Sequence, residues 1–284
     1  MHLDPTDPRL AFAADLFAGK TAVVTGGGRG IGSATALGFA RLGANVVIAS
    51  NAKDGLETTA AEISALSVEC LQVEVDIRDL GSVDAFRDVT LERFGGVDFL
   101  INNAGGQFMA NPLAISDNGW RAVIDLNLNG TWNVVSRFLR PMMQRGSGSI
   151  VNVVHVYSFE RGAPMFAHSG AARAGVVNLT RSLAPYLEER NVTINALAPG
   201  TTISPDAAAN YGFTAEEWRA QPSRPRYADP EDMAAIILFL SSPAARMING
   251  AAIVADAAST QHNWPTLDPL FDEVLAEFTT DAPA

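Results

Sequence analysis

Short apolar runs alternate with amphipathic segments along almost the whole chain. Residues 21–25, 45–49, 71–75, 99–102, 149–154, 193–198 and 252–255 read as strands, because each is a short, mainly apolar run. Between them, 33–42, 55–66, 82–94, roughly 119–144, 171–189 and 230–240 carry helical spacing. Strands that are apolar on both sides need cover on both faces. The pattern therefore predicts an α/β fold, a doubly wound parallel sheet of about seven strands with helices on both faces. No internal repeat or low-complexity linker breaks the alternation, so 1–284 reads as one domain. Three segments stand outside it. Residues 1–17 carry two prolines and no clear period, which suggests an N-terminal arm or cap. Residues 201–226, rich in Pro, Ser and Ala, follow the carboxyl end of a strand, where ligands bind in open α/β sheets. They read as a lid over a substrate or as a fixed surface excursion. Residues 259–284 form a C-terminal extension, of which 263–278 is expected to reach across a subunit interface or cover a neighbouring site.

Composition narrows the function classes. Apolar residues make up 48% of the chain and charged residues 18%, enough for a large core. No run approaches the ~18 apolar residues that a membrane-spanning helix needs. The N-terminus lacks a basic stretch followed by an apolar one, so no secretory signal is read. A single cysteine, Cys70, cannot form an internal disulfide and fits a cytoplasmic setting. With one cysteine and four scattered histidines, no metal site is expected. The net charge of −11 disfavours nucleic acid. An anionic small molecule can still be held by local backbone dipoles.

The strongest chemical signal is Thr25-Gly26-Gly27-Gly28-Arg29-Gly30-Ile31-Gly32, which follows an apolar strand and opens a helix. Glycines permit a tight turn and close approach to a pyrophosphate, and the helix start supplies N–H groups. This predicts a Rossmann-type dinucleotide site on Thr25, Gly26, Gly28, Arg29, Gly30, Ile31 and Gly32. The second strand ends in Ser50-Asn51-Ala52-Lys53, with no carboxylate to repel a 2′-phosphate. Arg29, Ser50, Asn51 and Lys53 together favour NADP(H) over NAD(H). Asp76, followed by Ile77, is placed for an adenine edge or equally for a helix cap. Asn103-Ala104-Gly105 and Pro199-Gly200 end two further strands with small residues that admit a cofactor.

These motifs, with Asn127 in Leu126-Asn127-Leu128-Asn129-Gly130, resemble the short-chain dehydrogenase/reductase family from Gly19 to Asp256. The resemblance implies a seven-stranded sheet and a homotetramer or homodimer. Long helices that are apolar on more than one face, 119–144 and 171–189, also suggest a second subunit. Within the family the chain is similar to peroxisomal-type trans-2-enoyl-CoA reductases. The segments that carry this are Asn102-Asn103-Ala104-Gly105-Gly106-Gln107-Phe108, His168-Ser169-Gly170-Ala171-Ala172-Arg173-Ala174-Gly175, Asn210-Tyr211-Gly212 and Asn263-Trp264-Pro265. The chain ends Asp281-Ala282-Pro283-Ala284 and so lacks a peroxisomal address.

The family's usual Tyr-x-x-x-Lys pair is absent. Counting back from Ala174-Gly175, the lysine position holds Arg173 and the tyrosine position Ser169. Counting forward from Val151-Asn152, the tyrosine falls on His168 and the usual serine on His155. Arginine can hold a ribose or phosphate, but its pKa is too high for a proton relay. Serine has no acidity near neutral pH. Reduction of an activated C=C bond asks for less: donors for an enolate oxygen and a proton for carbon. Tyr157, after the fifth strand, is the first choice of proton donor, with His155 and His168 as rivals because imidazole titrates near neutrality. Asn127 is expected to shape its helix and a water near the cofactor, and Gln107 and Phe108 to line the substrate pocket. The sequence thus predicts an NADP(H)-dependent reductase of an enoyl-CoA or enone-like substrate, hydrophobic or acyl-thioester in character. A non-catalytic dinucleotide-binding protein and a non-redox isomerase or lyase are the alternatives.

Overall fold

The computed structural model describes residues 12–158, 161–204, 214–219, 227–258 and 260. Seven parallel strands form one sheet: β1 (Thr21–Thr25), β2 (Asn45–Ser50), β3 (Cys70–Glu74), β4 (Phe99–Asn102), β5 (Gly148–Val153), β6 (Val192–Pro199) and β7 (Ala252–Ala255). Their order is β3-β2-β1-β4-β5-β6-β7. The chain winds outward from β1 to β3, then returns to β1's other side to begin β4. A crevice opens at the carboxyl ends of strands where the winding reverses, here between β1 and β4.

Alternate strand residues face opposite layers. Ala22 and Val24 of β1 join a core cluster with Phe39, Ile237 and Leu238, while Val23 joins another with Phe86 and Phe138. Both layers are apolar, which is why Ala22, Val23 and Val24 follow one another without a polar residue between them. The first layer is α1 (Gly30–Arg41), α2 (Lys53–Ile63) and α8 (Pro230–Ser241). The second is built on α3 (Leu80–Phe94), α5 (Gly130–Arg145) and α6 (Ala167–Glu188), with α4 (Asp117–Ile124) leading into α5. A short α7 (Ala215–Arg219) lies inside the 201–226 segment.

Three departures from the predicted elements bear on the site. First, α1 begins at Gly30 rather than 33, because the glycine turn runs straight into the helix. Second, the single helix expected over 119–144 is α4 and α5 joined by a wide π turn, Asp125–Asn129. One added residue per turn leaves the apolar spacing almost unchanged, so the pattern hides it. Third, α6 begins at Ala167 rather than 171, which places His168 and Ser169 on the helix. Among the other ends the largest shift is at α2, which stops at Ile63 rather than 66.

Of the described residues of the expected N-terminal arm, 13–15 are exposed and Phe17 enters the core. Phe17 is 1% exposed, and its ring packs tilted against Phe99 and Phe39, with centroids 4.7 Å and 5.2 Å away. Residues 1–11, 205–213, 220–226 and 261–284, which hold the rest of the arm, most of the expected lid and nearly all of the extension, lie outside the described residues. Among the described residues no helix is long and apolar enough to cross a membrane. None forms a cluster suited to a metal ion. Cys70 is half-buried at the start of β3, and burial pushes its thiol up to about 11.

Candidate active site

β1 ends in a turn that only glycine can make. Gly26 has φ +65°, and its N–H donates to Ala49 O at 2.7 Å. A Cβ on Gly32 would lie 2.1 Å from the Gly26 carbonyl oxygen, so the first turn of α1 packs directly on the loop. Arg29 precedes the helix in an extended conformation and its side chain does not cap the first-turn N–H groups. Those N–H groups suit an anion. The neighbouring strand end is locked in place by Thr25, whose Oγ1 accepts the N–H groups of Asn103 and Ala104, each at 3.1 Å. Asn103 Nδ2 in turn donates to Thr25 O and Gly26 O.

Between these two ends lies a cleft of about 440 Å³. Gly26, Arg29 and Ile31 line it from the turn, and Ser50 and Asn51 from the end of β2. Asp76 and Ile77 line it after β3, and Asn103, Ala104, Gly105 and Gly106 after β4. The Asp76 carboxylate is gripped by Arg78, with Nε and Nη2 at 2.7–3.1 Å, and this pairing holds its pKa below the usual range. Lys53 does not line the cleft. It opens α2, and its ammonium sits 3.9 Å from Glu57 on the exposed side. Gly28 packs against the backbone of Gly55, where a Cβ would be 2.8 Å from the Gly55 carbonyl carbon. Pro199 pairs with Ala255, and Gly200 lies against Asp256 in a second hollow of about 510 Å³. The cradle fits a dinucleotide: a closely approachable turn, an uncapped helix start and a cleft that runs along three strand ends.

The other half of the site is a corner around Gly105. On α6, Ser169 and Arg173 are one helical turn apart and share a face. Arg173 Nη1 donates to Val153 O at 2.7 Å. A Cβ on Gly105 would lie 2.5 Å from Arg173 Nη2 and 2.7 Å from Asn127 Oδ1, so these two side chains flank it. Asn127 sits in the π turn and is 2% exposed. Its Nδ2 donates to Gly106 O and Val123 O, both at 2.8 Å, and its Oδ1 accepts the Gly106 N–H at 3.2 Å. It thereby ties the β4 loop to the second helical layer.

Gln107 bridges the corner. Ser169 Oγ lies 2.5 Å from its Oε1, and His155 Nε2 lies 3.4 Å from its Nε2. His155 stands just after β5, beside the Val156–Ser158 turn, with its ring 4.8 Å from Tyr157 and 5.6 Å from Phe166. It does not titrate near neutrality as its residue type suggests. Burial, and then the charge of Arg173, push its pKa down to about 3. His168 is set apart: it is fully buried, edge-on to Phe108 at 4.4 Å. Neither of its nitrogens makes a regular hydrogen bond. Burial lowers its pKa, and the nearby Phe166 backbone only partly offsets this. The Tyr157 ring stacks on Phe166 at 6.0 Å, beside the apolar Val154, Val156 and Val176.

The structure thus brings Ser169, Arg173, Asn127, His155 and Gln107 together and turns His168 elsewhere. Sequence reasoning missed the lining residues Leu126 and Pro230 and the locking role of Thr25, and reached Thr202 and Ser204 only as part of the expected lid. Thr202 and Ser204 follow Pro199-Gly200 closely, and the switch-point rule alone points to that stretch.

Residues 26–260 match the family model described as Enoyl-(Acyl carrier protein) reductase. A probable 2,4-dienoyl-CoA reductase of Caenorhabditis elegans is 34% identical over 255 residues, covering 87% of this chain and 82% of that one. A 3-oxoacyl-[acyl-carrier-protein] reductase of Synechocystis is 36% identical over 239 residues, covering 84% and 95%. Among solved structures, a citronellol catabolism dehydrogenase of Pseudomonas aeruginosa superposes with TM-score 0.77 at 34% identity, covering 88% of this chain and 99% of that one.

Proposed function

This chain belongs to the short-chain dehydrogenase/reductase family, and we propose that it is an NADP(H)-dependent reductase of a polarised C=C bond in an enoyl-thioester or enone-like substrate. Membership makes it an oxidoreductase with a nicotinamide dinucleotide cofactor. One observation carries the finer reading: the corner around Gly105 offers hydrogen-bond donors but no histidine that titrates near neutrality. Reduction of a ketone delivers a proton to oxygen and asks for an acid tuned to that task. Reduction of a conjugated C=C leaves negative charge on a neighbouring carbonyl oxygen, which hydrogen-bond donors stabilise. That 2,4-dienoyl-CoA reductases are among the relatives supports the same choice.

The cradle residues Gly26, Arg29, Ile31, Asn103 and Ala104 would hold the cofactor, with Asp76 at its adenine end. Arg29, Ser50 and Asn51 favour a 2′-phosphate, because the end of β2 brings no carboxylate to the cleft. A reduced dinucleotide, when bound, supplies hydride to the carbon β to the carbonyl. Gln107 donates to the oxyanion through its amide, and Ser169, whose hydroxyl donates to Gln107 Oε1, holds that carboxamide. Arg173 holds the ribose side and adds fixed positive charge, and Asn127 keeps Gly105 and Gly106 in place. With His155 held neutral and His168 turned away, the α-carbon proton is assigned to Tyr157. Trp132 and Tyr186, exposed by 44% and 59% on α5 and α6, support a homo-oligomer packed through those helices.

Incubation with NADPH and a panel of enoyl-thioesters, enones and simple ketones tests this. The expected result is substrate-dependent loss of reduced-cofactor absorbance with the conjugated compounds only. Tight NADPH binding without oxidation of any panel member would favour a non-catalytic binder. Turnover without net cofactor change would favour an isomerase or lyase.

A further inference from the structure

The loop between β3 and α3 forms one wall of the dinucleotide cleft, through Asp76 and Ile77. It has no regular structure, so its buried backbone carbonyls need partners from elsewhere. The Asp76 carbonyl accepts the Asp79 N–H at 3.0 Å, and the Asp79 carbonyl accepts the Val83 N–H in the first turn of α3. The two carbonyls between them, of Ile77 and Arg78, are met from α5. There Asn133, 9% exposed, donates through Nδ2 to Ile77 O at 2.9 Å and to Arg78 O at 3.5 Å. Both neighbours are acceptors, so it is the amide nitrogen that faces them.

The same helix also receives the Ile77 side chain. At Gly130, three residues before Asn133 and on the same face, a Cβ would lie 2.8 Å from Ile77 Cδ1 and Cγ1. A notch and an amide thus hold one buried residue of the loop between them. Asn127, less than two turns earlier, holds the opposite wall at Gly106. Both walls of the cleft therefore hang from 127–133.

We propose that Asn133 is a positioning residue for dinucleotide binding: its carboxamide, with the notch at Gly130, sets the Asp76–Ile77 wall and so the affinity for the adenine half of the cofactor. The proposal rests on the reading above that Asp76 lies at the adenine end. Asn133 does not line the cleft, so its effect passes through Ile77 and Arg78. Without it the Ile77 carbonyl loses its partner and the loop spends only part of its time in the binding form, which weakens the apparent affinity by that fraction.

Calorimetric titration of the full chain compares each dinucleotide with its own adenine half: NADPH with adenosine 2′,5′-bisphosphate, and NADH with adenosine 5′-monophosphate. Asn133→Leu keeps close to the side-chain volume and removes the donor. It should raise Kd about tenfold, the value of one lost hydrogen bond, and by the same factor for a dinucleotide and its half. Gly130→Ala leaves the hydrogen bond but displaces Ile77, and should show the same equal-factor loss. If Asn133→Leu does not fold, the outcomes are read from Gly130→Ala. An unchanged Kd, or a loss for the dinucleotide that its adenine half does not share, would overturn the proposal. Amide exchange over 76–82 reports the hold itself without any ligand. It should be faster in Asn133→Leu, and an unchanged rate would also overturn the proposal. A wild type that binds neither dinucleotide would sink the cofactor reading instead, while the exchange rates still decide whether Asn133 holds the loop.

Discussion

The glycine turn and the Gly105 corner meet along one sheet edge but are built from different material. The turn is made of backbone: its shape follows from places where no Cβ fits, such as the 2.1 Å between a Gly32 Cβ and Gly26 O. The corner is made of side chains delivered by four segments, the β4 loop, the π turn, the end of β5 and α6. Steric exclusion leaves one residue type at each position. A hydrogen-bond network can be met by many sets of residues, provided that each donor finds an acceptor. Binding and chemistry can therefore diverge on this scaffold: the turn is fixed by backbone sterics, while the corner is set by side chains such as Ser169 and Arg173 on α6.

The contrast is broken most severely at the turn. Gly32→Ala has no room to relax and should cost about 3 kcal/mol, near the top of the range for overpacking, together with dinucleotide binding. Gly30→Ala meets nothing closer than Ser204 Oγ at 3.7 Å and should cost only about 1 kcal/mol, from its φ of +52°. Urea unfolding with cofactor titration measures both, and equal costs would contradict the claim of steric control. At the corner the effect should fall on turnover. Arg173→Met should lower kcat/KM about a hundredfold, as loss of a fixed electrostatic group does. Arg173→Lys should restore only part, because an ammonium cannot span Val153 O and the Gly105 side together.

A smaller effect separates the corner from the rest of the fold by pH. His155 titrates at about 3 in the folded protein, against an ordinary 6.5. Below pH 6.5 the unfolded chain takes up a proton that the folded one refuses. The neutral ring's stabilisation is thus fully present above 6.5 and is lost as pH falls toward 3, at about 1.4 kcal/mol per pH unit. Between pH 7 and pH 5 the wild type should lose about 2 kcal/mol that His155→Gln does not. Parallel unfolding curves for the two proteins would show that the ring is not held neutral.

The same contrast explains what the sequence made legible. Mainly apolar strands, and glycines ahead of a helix, are local signs of a two-faced sheet and a tight turn, and they pointed to the cleft that Gly26, Ser50, Asp76 and Asn103 line. The corner was legible only in parts. The π turn adds one residue without disturbing the apolar period, so nothing in the spacing showed that Asn127 reaches Gly106. Counting left Ser169 and His168 as rivals, and only the fold shows both on α6 with Ser169 against Gln107. The titration of His155 depends on burial and on Arg173, which is 18 positions away in the sequence and adjacent in the fold. Lys53, sensible as a phosphate ligand by position, is instead turned along its own helix toward Glu57.

The most direct test of the central claim, that this corner serves C=C reduction rather than carbonyl reduction, is the identity of the product formed in heavy water. The account predicts an intact carbonyl and one deuterium on the carbon next to it, where the enolate is protonated. An alcohol with no carbon-bound deuterium would contradict it.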